Sequence, residues 1–284
     1  MFKKSFIFVI PVLAFAAILL YLIFWNLYYS FMDYSIVHRI PAYDGLVTFG
    51  VVITSRYFSN SLVHSFEISG SLVISGNILG LLFAGLLYSI KSNRLRITYM
   101  SIFIYPLTIS MAANALIFLW LFNPNIGINN LLGVLHLPQP AWLTGGNTLY
   151  SLMIIVSWAY SGLAMLFYLA AFLNVDRSIV EAAYMDGAHY LRIFRKLLVP
   201  NSMNGFIVST ALLFLFSFRL FSLPYIISGG PTDLFSQTML MYQYFLYTTS
   251  YFAQSSVIDT FVVLIALLVV VPYALIGMKR WIHH

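Results

Sequence analysis

The densest chemistry in the chain lies in one short stretch, VEAAYMDGAHYLRIFRKLLVP, from Val180 to Pro200. It holds the acids Glu181 and Asp186, the bases Arg192, Arg195 and Lys196, and His189, with Gly187 near its middle. Ser178-Ile179-Val180-Glu181 fits a capping box, in which a serine hydroxyl and a glutamate carboxylate pair reciprocally with amides at a helix start. That pattern predicts a short helix opening at Ser178 and broken at Gly187. Glycine costs about 1 kcal/mol against alanine in a helix interior and accepts positive φ. A second helix is predicted to follow, with Tyr190, Ile193, Phe194 and Leu197 at i, i+3, i+4, i+7 and His189, Arg192, Arg195 and Lys196 on another side. A basic amphipathic helix of this kind suits a membrane surface, and Pro200 is expected to end it. A basic loop on lipid headgroups accounts for the charges. It does not account for Ala182-Ala183 beside Asp186-Gly187-Ala188, small residues that leave a shallow surface on which another protein can close.

Other reactive patterns are missing from the sequence. No G-x-x-x-x-G-K-[ST], H-E-x-x-H or G-x-S-x-G occurs, so neither a phosphate-cradling loop nor a zinc or serine hydrolase centre is indicated. The six histidines are dispersed and none is paired at ligand spacing within a span, so no metal site is assigned. With no cysteine there is no disulfide framework and no thiol chemistry. Ion-coupled carriers usually keep acids inside the membrane, whereas Glu67 and Asp259 fall near the ends of predicted spans. The chain thus lacks an energy source of its own. Arg219 is the exception among the bases, because it falls inside a predicted span.

The elements that position these residues follow from composition. The 284 residues are 61% hydrophobic and 8% charged, where a soluble domain is about a quarter charged. The chain is therefore read as an all-α integral membrane protein. Six spans are predicted, near 6–29, 66–89, 97–120, 148–172, 204–227 and 256–277, each close to the roughly 20 residues a crossing helix needs. The first imitates a signal peptide, with Lys3 and Lys4 before an apolar run and Ala14-Phe15-Ala16 like a cleavage site. The run continues uncharged to Tyr29, which marks it as an uncleaved span. Lys3, Lys4, Lys91, Arg94, Arg96, Arg177, Arg192, Arg195, Lys196, Lys279 and Arg280 fall on the side of both termini, against Arg39 and Arg56 on the other. This asymmetry places both termini and the 173–203 segment in the cytoplasm. The net charge of +6 is therefore a topology signal, not one for nucleic acid. Segments 30–65 and 121–147 lie outside, rich in turn formers such as NPNIGINN and LPQP. The outside segment 228–255 has an SGGP turn and a Tyr/Phe-rich stretch expected along the membrane interface. No soluble domain or short repeat is apparent. His283-His284 is given no role.

Glu181-Ala182-Ala183, Asp186-Gly187-Ala188, Phe194 and Pro200, at their spacing and in a cytoplasmic loop between two spans, resemble the EAA loop of permease subunits of binding-protein-dependent ABC importers. NPNIGINNLL with Ala141-Trp142-Leu143 is similar to the outside loop of the maltose and glycerol-phosphate type permeases, and Ser228-Gly229-Gly230-Pro231 resembles their TxGGP turn. The turn here is one residue shorter, and Ser222 stands where that family often has an acid. The resemblance covers about the last two-thirds of the chain and implies a single transmembrane permease domain over residues 1–284.

The resemblance further implies a second homologous permease subunit, two ATPase subunits that carry ATP and Mg, an extracytoplasmic substrate-binding protein, and a prokaryotic cell membrane. No cofactor is expected in this chain, and lipid but not nucleic acid is expected around it. Glu181, Ala182, Ala183, Asp186 and Gly187 would contact an ATPase. Carried over ungapped from the EAA loop, the substrate pathway would comprise Ala159, Tyr160, Leu163, Leu213, Phe216, Ser217 and Leu220; Arg219 is a separate candidate, a costly charge inside a span that faces the pathway or a partner subunit, or snorkels to the interface. Tyr160 and Phe216 could stack on a sugar ring and Ser217 could bond a hydroxyl. An importer of a non-sugar solute, and a channel or ion-coupled carrier, stand as the alternatives.

Overall fold

An apolar stretch crossing a bilayer has no water to satisfy its backbone, so it folds into helix. The computed structural model describes the backbone of residues 2–282 and the side-chain surroundings of residues 9–275. The His283-His284 pair lies outside the described residues, as do the side chains of Lys3, Lys4, Lys279 and Arg280. The order is α1 (Phe2–Ser30), a two-residue antiparallel ladder of β1 (Met32–Asp33) with β2 (Ala42–Tyr43), α2 (Val47–Ile53), α3 (Arg56–Ser89), α4 (Asn93–Thr108), α5 (Met111–Leu121), α6 (Ile128–Val134), and α7 (Asn147–Leu173). Then come α8 (Arg177–Met185), α9 (Tyr190–Ile193), a π-helical turn at 194–198, α10 (Val199–Asn201), α11 (Met203–Phe218), α12 (Ser222–Ile227), α13 (Met239–Thr248) and α14 (Phe252–Ile282).

Five segments are long and apolar enough to cross a membrane, and α4 with α5 makes a sixth crossing if taken as one bent span. The third predicted span, 97–120, is thus not one rod: α4 and α5 meet at 95°. Pro106 inside α4 removes a backbone donor, Ile109 turns extended, and the Ser110 hydroxyl accepts from the Ala113 N–H at 3.2 Å to open α5. The second span begins at Arg56, well before residue 66. At 34 residues it is about 51 Å long against a hydrocarbon core of about 30 Å. Its first turns therefore stand clear of the apolar layer, where hydropathy gave no helix signal.

The core is built on α3, α7 and α11. Asn77 of α3 is its polar hub: Tyr168 of α7 and Ser209 of α11 donate to its Oδ1 at 2.9 and 2.6 Å, and its Nδ2 donates to Val73 O and to Thr210 Oγ1. All four side chains are buried. Helix α3 approaches α7 so closely at Gly80 that a Cβ there would lie 2.5 Å from Ala164 Cβ and 2.7 Å from Met165 N. The outside loop of 121–147 folds on Trp142, which stacks on Phe122 at 4.9 Å and donates from its indole N–H to Asn129 Oδ1. The Tyr/Phe-rich stretch forms α13, packed on α14 and α3 with Met239, Met241, Tyr242 and Leu246 buried.

Gly80→Ala should destabilise the purified protein by about 1–3 kcal/mol through overpacking. Gly70→Ala, on the same helix where a Cβ would meet nothing within 4 Å, should raise the unfolding midpoint in detergent, because alanine is favoured over glycine by about 1 kcal/mol in a helix interior. Equal midpoints for the two variants would contradict the close approach.

Candidate functional site

The 173–203 segment forms two differently buried parts. Helix α8 projects: Glu181, Ala182, Asp186 and Gly187 are exposed and Ala183 is half-buried, with Val180 as its buried residue. Its start corrects the predicted capping box. Asp176, two residues earlier, is the cap and accepts from the Ser178 N–H at 2.9 Å. Those Ser178 hydrogen bonds hold the Asp176 carboxyl below its ordinary value, so the cap is at full strength at neutral pH and is lost only as pH falls through that lowered value. Glu181 does not reach back to Ser178; it pairs with Arg177 at 2.7 Å, an exposed i,i+4 contact worth about 0.3–0.5 kcal/mol.

The other end of α8 matches expectation. Gly187 has φ +75°. The Gly187 N–H donates to Tyr184 O and the Ala188 N–H to Ala183 O, the pairing of a Schellman end. Chain then turns inward. Tyr190 donates to the carbonyl of Gly85 on α3, Phe194 packs on the same turn and edges onto Phe172 of α7, and Ile193 and Leu198 are buried. Burial pushes the Tyr190 phenol up to about 12, so it stays a donor. His189, Arg192, Arg195 and Lys196 remain exposed. Pro200 does not end this helical run, since α10 continues through Asn201 and the break falls at Ser202.

Half of the residues expected to line a substrate pathway lie around a second break. Helix α11 stops at Phe218, and α12 restarts at Ser222. Pro224 has no N–H for the carbonyl of Leu220, and the buried Thr238 hydroxyl takes that role at 2.8 Å. Around this break lies a cavity of about 370 Å³ lined by Met111, Tyr160, Leu212, Leu215, Phe216, Arg219, Leu220, Phe221 and Ser222. Met111 opens α5 at the other break, so both interrupted spans reach one cavity. Small-molecule sites in membrane transporters are commonly built at interrupted helices, and the size falls in the range of about 300–1,000 Å³ for ligand pockets. Two larger clefts are also present: one of about 660 Å³ shares Leu215 and Arg219 with this cavity and adds Asn26, Asp259 and Thr260 to an apolar lining, and one of about 670 Å³ is lined by apolar groups and serines. Neither reaches both breaks.

Of the eight pathway residues named from the sequence, Tyr160, Phe216, Arg219 and Leu220 line this cavity. Tyr160 and Phe216 stack on each other, with centroids 5.4 Å apart and planes 7° from parallel. Phe216 is the open member of the pair, 45% exposed. Ala159, Leu213 and Ser217 are buried between helices, Leu163 is half-buried against the same core, and the Ser217 hydroxyl already donates to the carbonyls of Leu213 and Phe214. Met111 and Phe221 were not foreseen. Pro106 and Pro224 were the available signals, since each sits where an apolar run must release a carbonyl.

Residues 76–278 match the model of binding-protein-dependent transport system inner membrane components, and the chain belongs to that family. It is 51% identical over 281 residues to the glucose import system permease protein GlcT of Saccharolobus solfataricus, covering 99% of this chain and 98% of that one. It is 28% identical over 225 residues to the sn-glycerol-3-phosphate transport system permease protein UgpA of Pectobacterium atrosepticum, covering 76% and 73%. Among solved structures, a bacterial alginate ABC transporter in complex with alginate pentasaccharide-bound periplasmic protein contains a chain of the same fold. Its TM-score is 0.80 over 95% of this chain and 92% of that one, at 20% identity.

Gly187→Val forces a β-branched residue into the left-handed region at about 1–2 kcal/mol. The amides of Gly187 and Ala188 should then exchange hydrogen about five- to thirtyfold faster, with α7 amides unchanged. Unaltered exchange at 187–188 would show the turn to be unstrained.

Proposed function

We propose that this chain is one of two transmembrane subunits of an ATP-driven, binding-protein-dependent sugar importer, with a glucose-sized hexose as its cargo. The observation that carries this reading is one rigid path joining a protruding helix to a cavity at two broken spans. A chain with no nucleotide-binding loop must receive force from outside itself, and α8 is the exposed, capped element that can take it. Glu181, Ala182, Ala183, Asp186 and Gly187 form its contact face toward an ATPase subunit, where ATP and Mg act. Tyr190 and Phe194 tie that face to α3 and α7, whose register Asn77 fixes to α11. Helix α11 carries Phe216 and Arg219 into the cavity. Movement at α8 therefore arrives where a sugar would sit.

Sugar chemistry suits the cavity: Tyr160 and Phe216 offer aromatic faces to the C–H side of a pyranose, and Arg219 offers several donors to its hydroxyls. The glucose permease relative, alignable over nearly the whole chain, supports the hexose. With both termini and α8 on the cytoplasmic side, an external binding protein would deliver the sugar to the opposite face, and a second permease would complete the pathway.

The test is reconstitution with the ATPase and binding protein. Tyr160→Ala and Phe216→Ala should each cut sugar-stimulated ATP hydrolysis about tenfold or more, the loss of one stacking contact of roughly 1.4 kcal/mol, in complexes that still assemble. Ala183→Trp should weaken ATPase co-purification or leave hydrolysis uncoupled from uptake. Parental transport in all three variants would remove both the pathway and the coupling assignment.

A further inference from the structure

Arg219 touches two spaces. Besides the sugar cavity it lines the cleft of about 660 Å³ between α1, α11, α13 and α14, and across that cleft lies Asp259 of α14. The sequence placed Asp259 near a span end. The structure turns it inward, where Gln243 of α13 donates to its Oδ2 at 3.3 Å and also to Ser255 Oγ at 3.0 Å. Asn26 and Thr260, bonded to each other, share the cleft. Arg219 and Asp259 thus line one cleft, although the two are not in direct ion-pair contact.

A lone charge in a span is costly and usually faces a partner or a cavity. Here two opposite charges line the same cleft. In a medium with little screening, opposite charges act on each other beyond contact distance. Arg219 also caps the C-terminus of α11, where a cation complements the helix dipole. Asp259 is fixed from behind by Gln243 and so offers the guanidinium a defined counter-charge on the side away from the sugar.

We propose that Asp259 is the counter-ion and positioning residue of Arg219, holding its guanidinium at the wall of the Tyr160–Phe216 cavity so that the site favours neutral over anionic sugars. This rests on the sugar-importer reading. The guanidinium then donates to hydroxyls while the local charge stays compensated. A phosphorylated or acidic sugar would bring its negative charge toward a site whose positive charge is already neutralised, with Asp259 behind it.

The experiment is a double-mutant cycle in the complete complex: Arg219→Met, Asp259→Asn, both together, and Asp259→Glu. Each single neutralisation leaves an uncompensated charge in the membrane, so each should lower the yield of assembled complex about tenfold, and the double variant should recover most of it. Additive losses would overturn the pairing. The double variant should nonetheless lose sugar-stimulated hydrolysis, and Asp259→Glu should retain it. A double variant that transports at the parental rate would overturn the positioning role. Equilibrium binding of glucose and glucose 6-phosphate to the complex without binding protein supplies the third readout. The parental preference for glucose should narrow about tenfold in Asp259→Asn, and an unchanged preference would overturn the selectivity. If Tyr160→Ala and Phe216→Ala transport normally, the cavity reading fails, whereas the assembly cycle judges the charge pair without reference to any sugar.

Discussion

A bilayer interior offers no water to a broken helix, so every backbone group released at a break needs a partner from the protein itself. The form of this molecule depends on how that demand is met at two prolines. Pro106 ends the regular run of α4, and the Ser110 hydroxyl caps the helix that restarts beyond it. Pro224 frees the carbonyl of Leu220, and Thr238, on the segment after the SGGP turn, reaches back to it. Interrupted spans survive only where they are buried in protein or line a cavity, and here they do both. The cavity is a consequence of the breaks, and the 228–238 segment is as much a part of it as the residues that line it.

Between that cavity and the loop at 176–201 stands a body that resists shear. Close approach at Gly80 locks α3 to α7, and the Asn77 hub adds α11 to the pair with every polar atom of the hub accounted for. A satisfied network of this sort fixes register more than it adds stability, because its alternatives strand polar groups in an apolar medium. The inner parts of the loop sit on the ends of the same two helices, Tyr190 on α3 and Phe194 on both. The loop is thus joined to α11 through α3 and α7 by direct contacts at every step.

Membership in the family of binding-protein-dependent inner membrane components and a 51% identical glucose permease agree with that mechanical layout. The aromatic pair is instructive about state. Tyr160 and Phe216 stack on one another, so a ring that came between them would have to part α7 from α11, the helices that Asn77 joins. The cavity and the loop therefore bear on the same helix pair from opposite ends.

The sequence by itself determined the class of the protein, because 61% hydrophobic and 8% charged residues leave no soluble solution. It also determined where the long apolar helices lie, α1, α7 and α14 to within a few residues, and the turn at Gly187, whose left-handed φ is a local preference that no packing needs to impose. The Glu181–Gly187 pattern with Phe194 and Pro200 was enough to single out the loop. Only the tertiary structure decided the rest. The choice of Asp176 over Ser178 as cap rested on one local geometry against another, and a pattern match cannot rank the two. That Tyr160, Phe216, Arg219 and Leu220 share a cavity while Ala159, Leu213 and Ser217 pack between helices depended on helix rotation, which a nearly uniform apolar surface does not encode. Asp259 does lie in the second turn of α14, near the span end, but only the packing of α13 against α14 supplies it with Gln243. Periodicity reports which face of a helix is apolar. In a membrane, where lipid and core are equally apolar, contacts between distant segments alone distinguish a face that meets protein from one that meets lipid.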